Sequence, residues 1–270
     1  MVVNLRNYLN ARMVLNVPSQ NELQTALTQA GVAILEIYNS GDFSVDFKSD
    51  DSPLTKADVA ANSLLVDFLF KVSEYPVISE EGEHFTEEER RSFDTFWLVD
   101  PLDGTKEFVN RNGEFTVNVA LIHHGLPVLG AIYVPVTRVY YWGQVGNGAW
   151  KIEEGTSSKL QVSAGKNVEV GVGSKSHPQP EEKAYYASLG LTDIRSVGSS
   201  LKFCMVAEGK ADVYYRVGPT MEWDVAAGHA IVRAAGGEVY TGTDRKEVFT
   251  YNKRTLRNGP FFCVGDVILT

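Results

Sequence analysis

Apolar residues recur at helical spacing near the start of the chain. Between Asn21 and Tyr38 they fall three and four positions apart, which predicts a helix with one continuous apolar stripe. Gly41 and Asp42 end this pattern, and the polar stretch that follows predicts a short extended piece that enters a loop. A second helix is predicted after Pro53. Its predicted inward side chains are Val59, Leu64, Leu65, Phe68 and Leu69.

Short β-rich runs dominate the middle of the chain. YPVIS (75–79) and FWLVD (96–100) are each bounded by acidic residues, and three runs between 115 and 141 have the spacing of antiparallel hairpins. In the second half, strand-like and helix-like runs alternate, which is typical of α/β proteins. One of these helices, in SSLKFCMVAEGK, has a predicted serine N-cap and ends at Gly209. The pattern predicts a layered α/β protein in two parts with a cleft between them, divided near the glycines of 143–148.

Composition and charge exclude several classes of function. No apolar run reaches the length of a membrane helix, and the chain carries a net charge of −9 without a basic block. A nucleic-acid polymer is therefore a poor partner, whereas a cleft with a few cations can still bind a small phosphorylated ligand. Cys204 and Cys263 lie outside any metal-binding spacing, and Cys204 is predicted to be a buried core thiol. Because the first residues also lack the pattern of a secretory signal, the cytoplasm is the expected location.

The segment WLVDPLDGTKEF (97–108) carries the clearest chemical signal. A buried strand leads to Asp100, Asp103 follows three residues later, and Gly104 and Thr105 open a predicted helix. Carboxylates bind hard cations through oxygen, and the free N–H groups of such a turn bind a phosphate oxygen that a glycine allows to approach closely. By itself the segment leaves a second interpretation open, in which Asp103 is a helix N-cap and Asp-Gly a simple turn.

Further acidic residues also stand at the ends of predicted elements. Glu80 and Glu81 follow a short apolar strand, Asp58 lies near a helix start, and Glu222 and Asp224 open another helix. Neighbouring carboxylates repel and raise one another's pKa unless a cation neutralises them. One divalent-metal site explains these groups more economically than separate helix caps do, provided that the fold brings them together.

Three segments carry a family resemblance. ISEE (78–81), DPLDGTKEF (100–108) and WDVAAGHAIVRAAGG (223–237) resemble the lithium-sensitive, magnesium-dependent phosphatases of the inositol monophosphatase superfamily. SPLTKAD (52–58), Lys-Glu-Phe after DGT and the block 198–216 are similar to its 3′(2′),5′-bisphosphate nucleotidase branch. The resemblance extends from about Asn21 to the C-terminus. It implies hydrolysis of adenosine 3′,5′-bisphosphate to AMP and phosphate by a metal-activated water.

The resemblance also implies a fold and a domain plan. The fold is an alternating α-β-α-β-α sandwich of the sugar-phosphatase type, with two subdomains and a metal cleft between them. Residues 1–20 are then an N-terminal extension, 21–148 a metal-binding α/β subdomain, and 149–270 a nucleotide-contacting α/β subdomain. The superfamily is often dimeric, which leaves a homodimer open. A cytoplasmic location follows, with contact to the inner membrane surface left open.

Site residues follow from the same resemblance. Two Mg²⁺ ions, or three, are implied, and the scissile phosphate lies against the N–H groups of Gly104 and Thr105. Thr105, Asp58 and Glu80 are the implied catalytic residues. Thr105, oriented near Asp58, positions or helps to deprotonate the metal-bound water, and Asp58 acts in the outer shell or on a third, weaker ion through water. The implied metal ligands are the carboxylates of Glu80, Asp100, Asp103 and Asp224 and the carbonyl of Leu102. The implied substrate-binding residues are Ser199, Lys202, Arg216, His177 and Glu222.

Two of these substrate-binding residues also have plain structural interpretations. Lys202 fits a solvated helix face and His177 a loop position, whereas Arg216 is the expected bidentate partner of a second phosphate. Three rival functions remain. An inositol monophosphatase or a fructose-1,6-bisphosphatase-like sugar phosphatase would use the same metals, and a non-catalytic nucleotide sensor would have lost one of the site residues.

Overall fold

A computed structural model describes residues 15–40, 56–82 and 85–269, together with the backbone of 46–47 and 53–54. Residues 1–14 of the predicted extension and the start of SPLTKAD lie outside the described residues. The helices are α1 (Gln20–Ser40), α2 (Lys56–Val72), α3 (Glu87–Arg90), α4 (Thr105–Val109), α5 (Pro180–Ser188), α6 (Leu201–Ala207) and α7 (Glu222–Ala234).

The strands up to the middle of the chain are β1 (Asp46–Phe47), β2 (Pro53–Leu54), β3 (Val77–Ser79), β4 (Thr95–Asp103), β5 (Thr116–His123), β6 (Leu126–Val134), β7 (Val139–Gln144), β8 (Gly148–Glu153) and β9 (Thr156–Leu160). The later strands are β10 (Ala164–Asn167), β11 (Val170–Ser174), β12 (Asp193–Val197), β13 (Val213–Arg216), β14 (Thr220–Met221), β15 (Glu238–Thr241), β16 (Arg257–Asn258), β17 (Phe261–Val264) and β18 (Asp266–Ile268).

Two sheets organise the described chain. A seven-stranded sheet has the order β3-β4-β5-β6-β7-β8-β9, in which only β3 and β4 pair in parallel. A five-stranded sheet has the order β12-β11-β13-β17-β15, with β11 parallel to both of its neighbours and β17 antiparallel to both of its own. The predicted hairpin meander is therefore confirmed, and β8 and β9 extend it beyond the segment that sequence periodicity had indicated.

The layers alternate between helices and sheets. One face of the seven-stranded sheet packs on α1 and α2, and its other face packs on α6 and α7. The five-stranded sheet covers the far side of α6 and α7, and α5 covers its outer face. Because helices cover both faces of the first sheet, successive side chains of β4 such as Phe96 and Trp97 are fully buried on opposite sides. The predicted α-β-α-β-α sandwich is confirmed.

Helix α2 corrects one prediction of burial. Val59 and Leu64 were expected to face inward, but their exposed fractions are 54% and 42%. Val59 stands two residues after Ala57, which rotates it to the opposite side of a helix with 3.6 residues per turn. The core-facing residues instead repeat every four positions and are Ala57, Ala61, Leu65 and Leu69.

The central helix α7 lies unusually close to the seven-stranded sheet. Gly130 and Gly143 face each other across β6 and β7, and α7 crosses at this pair. A Cβ added at Gly130 would lie 2.3 Å from the carbonyl oxygen of Ala227, and one at Gly143 would lie 2.7 Å from the Cα of Ile231. Two missing side chains thus allow the helix backbone to touch the sheet, and this contact sets the depth of α7 and of its N-terminus.

The sheets change over later than the predicted subdomain boundary at 148. The first sheet continues through β8 and β9 to Leu160, and the five-stranded sheet begins at Val170. Sheet membership does not define which segments fold as separate units, so the division into 21–148 and 149–270 stays a prediction. Among the described residues, no helix is both long and apolar enough to cross a membrane.

Candidate active site

Strand β4 carries two of the predicted ligands to one edge of the first sheet. Its ladder with β5 reaches Asp100 and resumes at Asp103 after an irregularity, so the strand continues through Pro101. Asp100 is buried, and its Oδ1 accepts a hydrogen bond from the Leu102 N–H at 3.1 Å. This turn in the strand places two carboxylates, three residues apart, beside the first turn of α4.

Glu80 reaches the same place from the neighbouring strand. Strand β3 runs parallel to β4, and the N–H of Glu80 donates to the carbonyl oxygen of Val99 at 3.1 Å. The carboxyl ends of adjacent parallel strands lie side by side, so Glu80 stands next to Asp100. The convergence that the sequence could only propose is therefore present for this pair.

Asp224 comes from the opposite layer. It is the third residue of α7, and its Oδ2 accepts the Met221 N–H at 2.8 Å, which fixes the carboxylate at the helix start. Ser200 joins this helix to the strand end, because its Oγ lies 2.7 Å from Asp103 Oδ2 and 3.0 Å from the carbonyl oxygen of Asp224. Ser200 is the N-cap residue of α6, as the predicted serine cap requires, but its hydroxyl makes no capping hydrogen bond and bonds to Asp103 and to the Asp224 backbone instead.

The acidic cluster has the donor set of a hard-cation site. Glu80, Asp100 and Asp224 each offer a carboxylate oxygen, and these oxygens lie within 4.8 Å of one another. Burial raises the pKa of Asp100 well above its ordinary value, and the charges of Glu80, Asp103, Asp224 and Asp58 raise it further. Burial, Asp103 and Glu80 likewise raise the pKa of Asp224. Three oxygen ligands whose negative charges oppose one another fit a divalent cation.

Asp103 stands beside this cluster and has its own supports. Its Oδ2 accepts bonds from Ser200 and, at 3.3 Å, from Asn118 Nδ2. Burial raises its pKa, while the positive charge of Lys202 and the two hydrogen bonds oppose that rise. Asp103 is not among the three carboxylates that converge within 4.8 Å. Its predicted ligation of a metal stays a prediction.

The turn after Asp103 settles the second interpretation of this segment. The N-cap of α4 is Gly104, which has a left-handed φ of 91°, so Asp103 is not the helix cap. A side chain at Gly104 would be strained and would lie 3.2 Å from the Cβ of Ser199. Thr105 then begins α4 and lines a cavity beside this turn.

A cavity of about 280 Å³ opens from this acidic edge toward the five-stranded sheet. It brings together eight predicted site residues: Asp103, Gly104, Thr105, His177, Ser199, Lys202, Arg216 and Asp224. Glu80, Asp100 and Asp58 are not among the residues that line it, although the charges of Glu80 and Asp58 act on Asp100 together with those of Asp103 and Asp224. The cavity thus has an acidic end and a wall that carries the predicted cations.

Lys202 and Arg216 are buried rather than solvated, and 6% of each residue is exposed. Lys202 Nζ donates to the Ser199 carbonyl oxygen at 2.5 Å, so the solvated-face interpretation of this residue is wrong. Burial lowers the Lys202 pKa, and the negative charge of Asp103 opposes that shift. Arg216 Nη1 donates to the His177 carbonyl oxygen at 2.7 Å and to Glu182 Oε1 at 3.2 Å. Buried cations of this kind require partners, and their place on a cavity wall suits an anionic ligand.

Two other predicted contacts differ in their setting. Ser199 has a left-handed φ of 40°, and its Oγ donates to the Glu114 carbonyl oxygen at 2.7 Å. His177 stands exposed at the rim, where its Nε2 lies 2.8 Å from Lys106 Nζ. Both residues line the cavity.

Glu222 is the predicted substrate contact that the structure does not bring into the cavity. It is fully buried, and its carboxylate oxygens accept the N–H groups of Asn252 and Lys253, each at 2.8 Å. The Lys253 Nζ lies 3.3 Å from the same carboxylate. Glu222 anchors the 252–253 loop to the start of α7, and a direct contact with substrate stays a prediction.

Sequence reasoning missed several residues of the cavity wall. Lys106 and Glu107 follow the DGT motif and line the cavity, yet they served only as a family signature and received no role. Tyr214 also lines the cavity and packs edge-to-face against Phe203 and Phe261. The alternation of β13 could have shown that Tyr214 and Arg216 share one face of the strand. Nothing in the sequence indicated that α4 faces this wall.

The fold and the acidic edge define a class of protein. The sequence model of the inositol monophosphatase family matches residues 18–262, and the chain belongs to that family. The predicted phosphatase class is thereby confirmed.

The names of individual relatives specify a reaction within this family. The chain is 46% identical over 232 residues to the 3′(2′),5′-bisphosphate nucleotidase CysQ of Escherichia coli K12, a match that covers 85% of this chain and 93% of the relative. It is 31% identical to the same-named protein of Haemophilus influenzae over 94% of this chain and 95% of that one.

Solved structures agree with this assignment. CysQ from Bacteroides thetaiotaomicron, described as a bacterial member of the inositol monophosphatase family, superposes with a TM-score of 0.80 at 43% identity. That match covers 92% of this chain and 98% of the other. The extragenic suppressor protein suhB of Bartonella henselae gives a TM-score of 0.73 at 25% identity, covering 91% and 93%. The resemblance found in the sequence is confirmed.

Proposed function

We propose that this chain is a magnesium-dependent, lithium-sensitive 3′(2′),5′-bisphosphate nucleotidase that hydrolyses adenosine 3′,5′-bisphosphate to AMP and phosphate. The observation that carries the proposal is the cavity with an acidic end at Asp103 and Asp224 and two buried cations, Lys202 and Arg216, on its wall. A substrate with one phosphate to be cleaved and a second phosphate to be held matches both ends. The names of the relatives at 46% and 31% identity support the same substrate.

The carboxylates are proposed to hold the metal ions. Glu80, Asp100 and Asp224 supply converging oxygens, and Asp103 and the Leu102 carbonyl are proposed as further ligands. Bound Mg²⁺, as two ions or three, would lower the pKa of a water and neutralise the charge on the transferred phosphoryl group. The repulsion that raises the pKa of Asp100 and Asp224 supports this role, because a cation removes its cause.

Thr105, Asp58 and Glu80 are the proposed catalytic residues. Asp58 is buried in the first turn of α2, and its charge acts on Asp100. Thr105 begins α4 at the cavity and is proposed to orient the attacking water, while the N–H groups of Gly104 and Thr105 hold the scissile phosphate. Water then attacks phosphorus, the P–O bond to the 3′-oxygen breaks, and that oxygen leaves with a proton.

The cationic wall distinguishes the proposal from an inositol monophosphatase. Arg216 is fixed by Glu182 and by the His177 carbonyl oxygen, and a Cβ at Gly218 would lie 2.6 Å from its Nη2. Lys202 and Arg216 together place two positive charges on the cavity wall, and the charge of Lys202 also acts on Asp103. An inositol monophosphate carries no second anion to occupy them.

Phosphate release tests the proposal. Adenosine 3′,5′-bisphosphate, inositol 1-phosphate and fructose 1,6-bisphosphate are compared in Mg²⁺, with and without lithium, and again with a chelator. We expect a preference for the nucleotide of at least about tenfold in kcat/KM, since a charge-assisted bond to the second phosphate contributes roughly that factor. Preference for a sugar or inositol phosphate would overturn the substrate assignment, and no turnover of any would support a nucleotide sensor.

A matched pair of variants locates the second-anion site. Lys202→Met removes the buried charge on the cavity wall, and Lys183→Met removes an exposed charge on α5 as the control. We expect the first variant to raise KM for the nucleotide while the second leaves it unchanged. Equal effects of the two variants would exclude Lys202 from the substrate site.

A further inference from the structure

The three consecutive residues 175–177 each contact a residue between 106 and 114. Lys175 Nζ lies 2.8 Å from Glu114 Oε1, Ser176 Oγ donates to Glu107 Oε1, and His177 Nε2 lies 2.8 Å from Lys106 Nζ. We call this segment the strap. Lys106 and Glu107 belong to α4, directly after the turn at Gly104 and Thr105. The strap is therefore fixed against the helix that begins at the acidic end of the cavity.

The hydrogen bond between Lys106 and His177 indicates the protonation state of His177. A lysine ammonium can only donate, so His177 Nε2 must accept and the imidazole is neutral. Partial burial of the ring at the cavity rim lowers the pKa of His177, and the positive charges of Lys106 and Arg216 lower it further, which is consistent with the neutral ring. The contact orients Lys106 but does not neutralise it.

The other two cations of the cavity wall have acidic neighbours. Lys202 interacts electrostatically with Asp103, and Arg216 forms an ion pair with Glu182 at 3.2 Å. Within the described part of the chain, Lys106 forms no ion pair with a carboxylate. Its ammonium lines the cavity and is therefore available to an incoming anion, in addition to Lys202 and Arg216.

His177 links the two cations spatially. Its ring contacts Lys106 Nζ, and its carbonyl oxygen accepts from Arg216 Nη1 at 2.7 Å. Both cations line the cavity, with His177 between them. An anion placed beside Arg216 on this rim lies within the region that Lys106 can reach, and the ammonium keeps two donors besides the one on His177.

We propose that Lys106 is a specificity-determining residue that binds the phosphate remote from the scissile bond, held in place by His177 at the strap. The proposal rests on the proposed nucleotidase function and extends it to a residue of α4. Lys106 binds the 5′-phosphate of adenosine 3′,5′-bisphosphate, and the strap couples that contact to the turn at Gly104. A monophosphate lacks this second phosphate and therefore does not contact Lys106 through it.

The kinetic test uses two substrates that differ only in that phosphate. Lys106→Met keeps the length of the side chain and removes its charge, Lys106→Arg keeps the charge, and Lys183→Met is the exposed-lysine control. We expect Lys106→Met to lower kcat/KM for adenosine 3′,5′-bisphosphate by about tenfold and that for 3′-AMP by less than about threefold. We expect Lys106→Arg to recover most of the loss. Equal losses on both substrates would assign Lys106 to the scissile phosphate and overturn the proposal.

A binding measurement provides a second readout without turnover. AMP retains the remote phosphate and adenosine lacks it, so calorimetry of the two ligands isolates the contact. Wild-type protein and Lys183→Met are expected to bind AMP more tightly than adenosine, and Lys106→Met to lose about tenfold of that difference. An unchanged difference in Lys106→Met would overturn the proposal. If wild-type protein hydrolyses 3′-AMP with the same kcat/KM as the bisphosphate, the proposed function fails. The binding result still decides whether Lys106 binds an anion.

Discussion

Replacement of Gly130 by alanine tests whether the close approach of α7 to the sheet positions the active site. The new Cβ would lie 2.3 Å from the Ala227 carbonyl oxygen and 2.8 Å from the Ala230 Cβ. The first of these atoms belongs to the helix backbone, so no side-chain rotation relieves the clash. Helix α7 or strand β6 must move.

The size of the effect follows from that distance. A normal C···O contact is about 3.3 Å, which requires a displacement of about 1 Å. Overpacking of this kind costs about 1–3 kcal/mol of the free energy of unfolding, and a backbone clash belongs at the upper end. Asp224, a proposed metal ligand, lies about one turn before Ala227 on the same helix, and we expect a displacement of about 1 Å there to lower kcat/KM by about a hundredfold.

The assay combines urea unfolding with phosphate release from adenosine 3′,5′-bisphosphate. Gly173→Ala is the matched control, because Gly173 is also a buried strand glycine but a Cβ there meets no atom within 4 Å. We expect that control to change the free energy of unfolding by less than about 1 kcal/mol and to retain activity. If Gly130→Ala is as stable and as active as Gly173→Ala, the contact does not position α7 and the reasoning is refuted.

Three further predictions concern charges. Asp100→Asn keeps the acceptor for the Leu102 N–H, so it should be as stable as wild-type protein in chelator. It should lose the stabilisation that Mg²⁺ gives wild-type protein, which is about 2.7 kcal/mol at a hundredfold excess over Kd. Melting curves with Mg²⁺ and with chelator measure both effects. Ser200→Ala removes a bond that lowers the pKa of Asp103, so the acid limb of the pH profile of kcat/KM should move to higher pH. Burial lowers the pKa of His229 below its ordinary value of 6.5, so at acid pH the unfolded chain takes up a proton that the folded chain does not. The free energy of unfolding of wild-type protein should therefore fall as the pH drops through and below about 6.5. His229→Gln should lose that part of the pH dependence in urea unfolding.

Each of these predictions has a contradicting result. Equal stabilisation of Asp100→Asn and wild-type protein by Mg²⁺ would remove Asp100 from the metal site. An unmoved acid limb in Ser200→Ala would mean that Asp103 does not control the profile. An unchanged pH dependence in His229→Gln would show that burial of this imidazole is not its cause.

The sequence by itself determined the local elements and the candidate metal-binding residues of this protein. Periodicity predicted α1 and the hairpin meander because each depends on neighbouring residues in the chain. The acids at Asp100 and Glu80 were recognisable because strand ends and helix starts place polar groups at the edge of a sheet. The family motifs supplied the phosphatase class.

Tertiary structure alone decided which residues meet. Ser200 has the local signature of a helix cap, yet its hydroxyl contacts Asp103 and the backbone of Asp224 because α6 and α7 pack side by side above strand β4. Val59 is apolar but exposed, since burial depends on which side of α2 faces α1 and the sheet.

The pairing of α4 with the strap was likewise invisible in the sequence. Lys106 and His177 are 71 positions apart and belong to segments that touch only after the two sheets have packed on α6 and α7. Residue type and spacing fix what a side chain can do, because those depend on its own chemistry and its immediate neighbours. The partner of a side chain depends on contacts between distant segments, and these form only when the layers assemble.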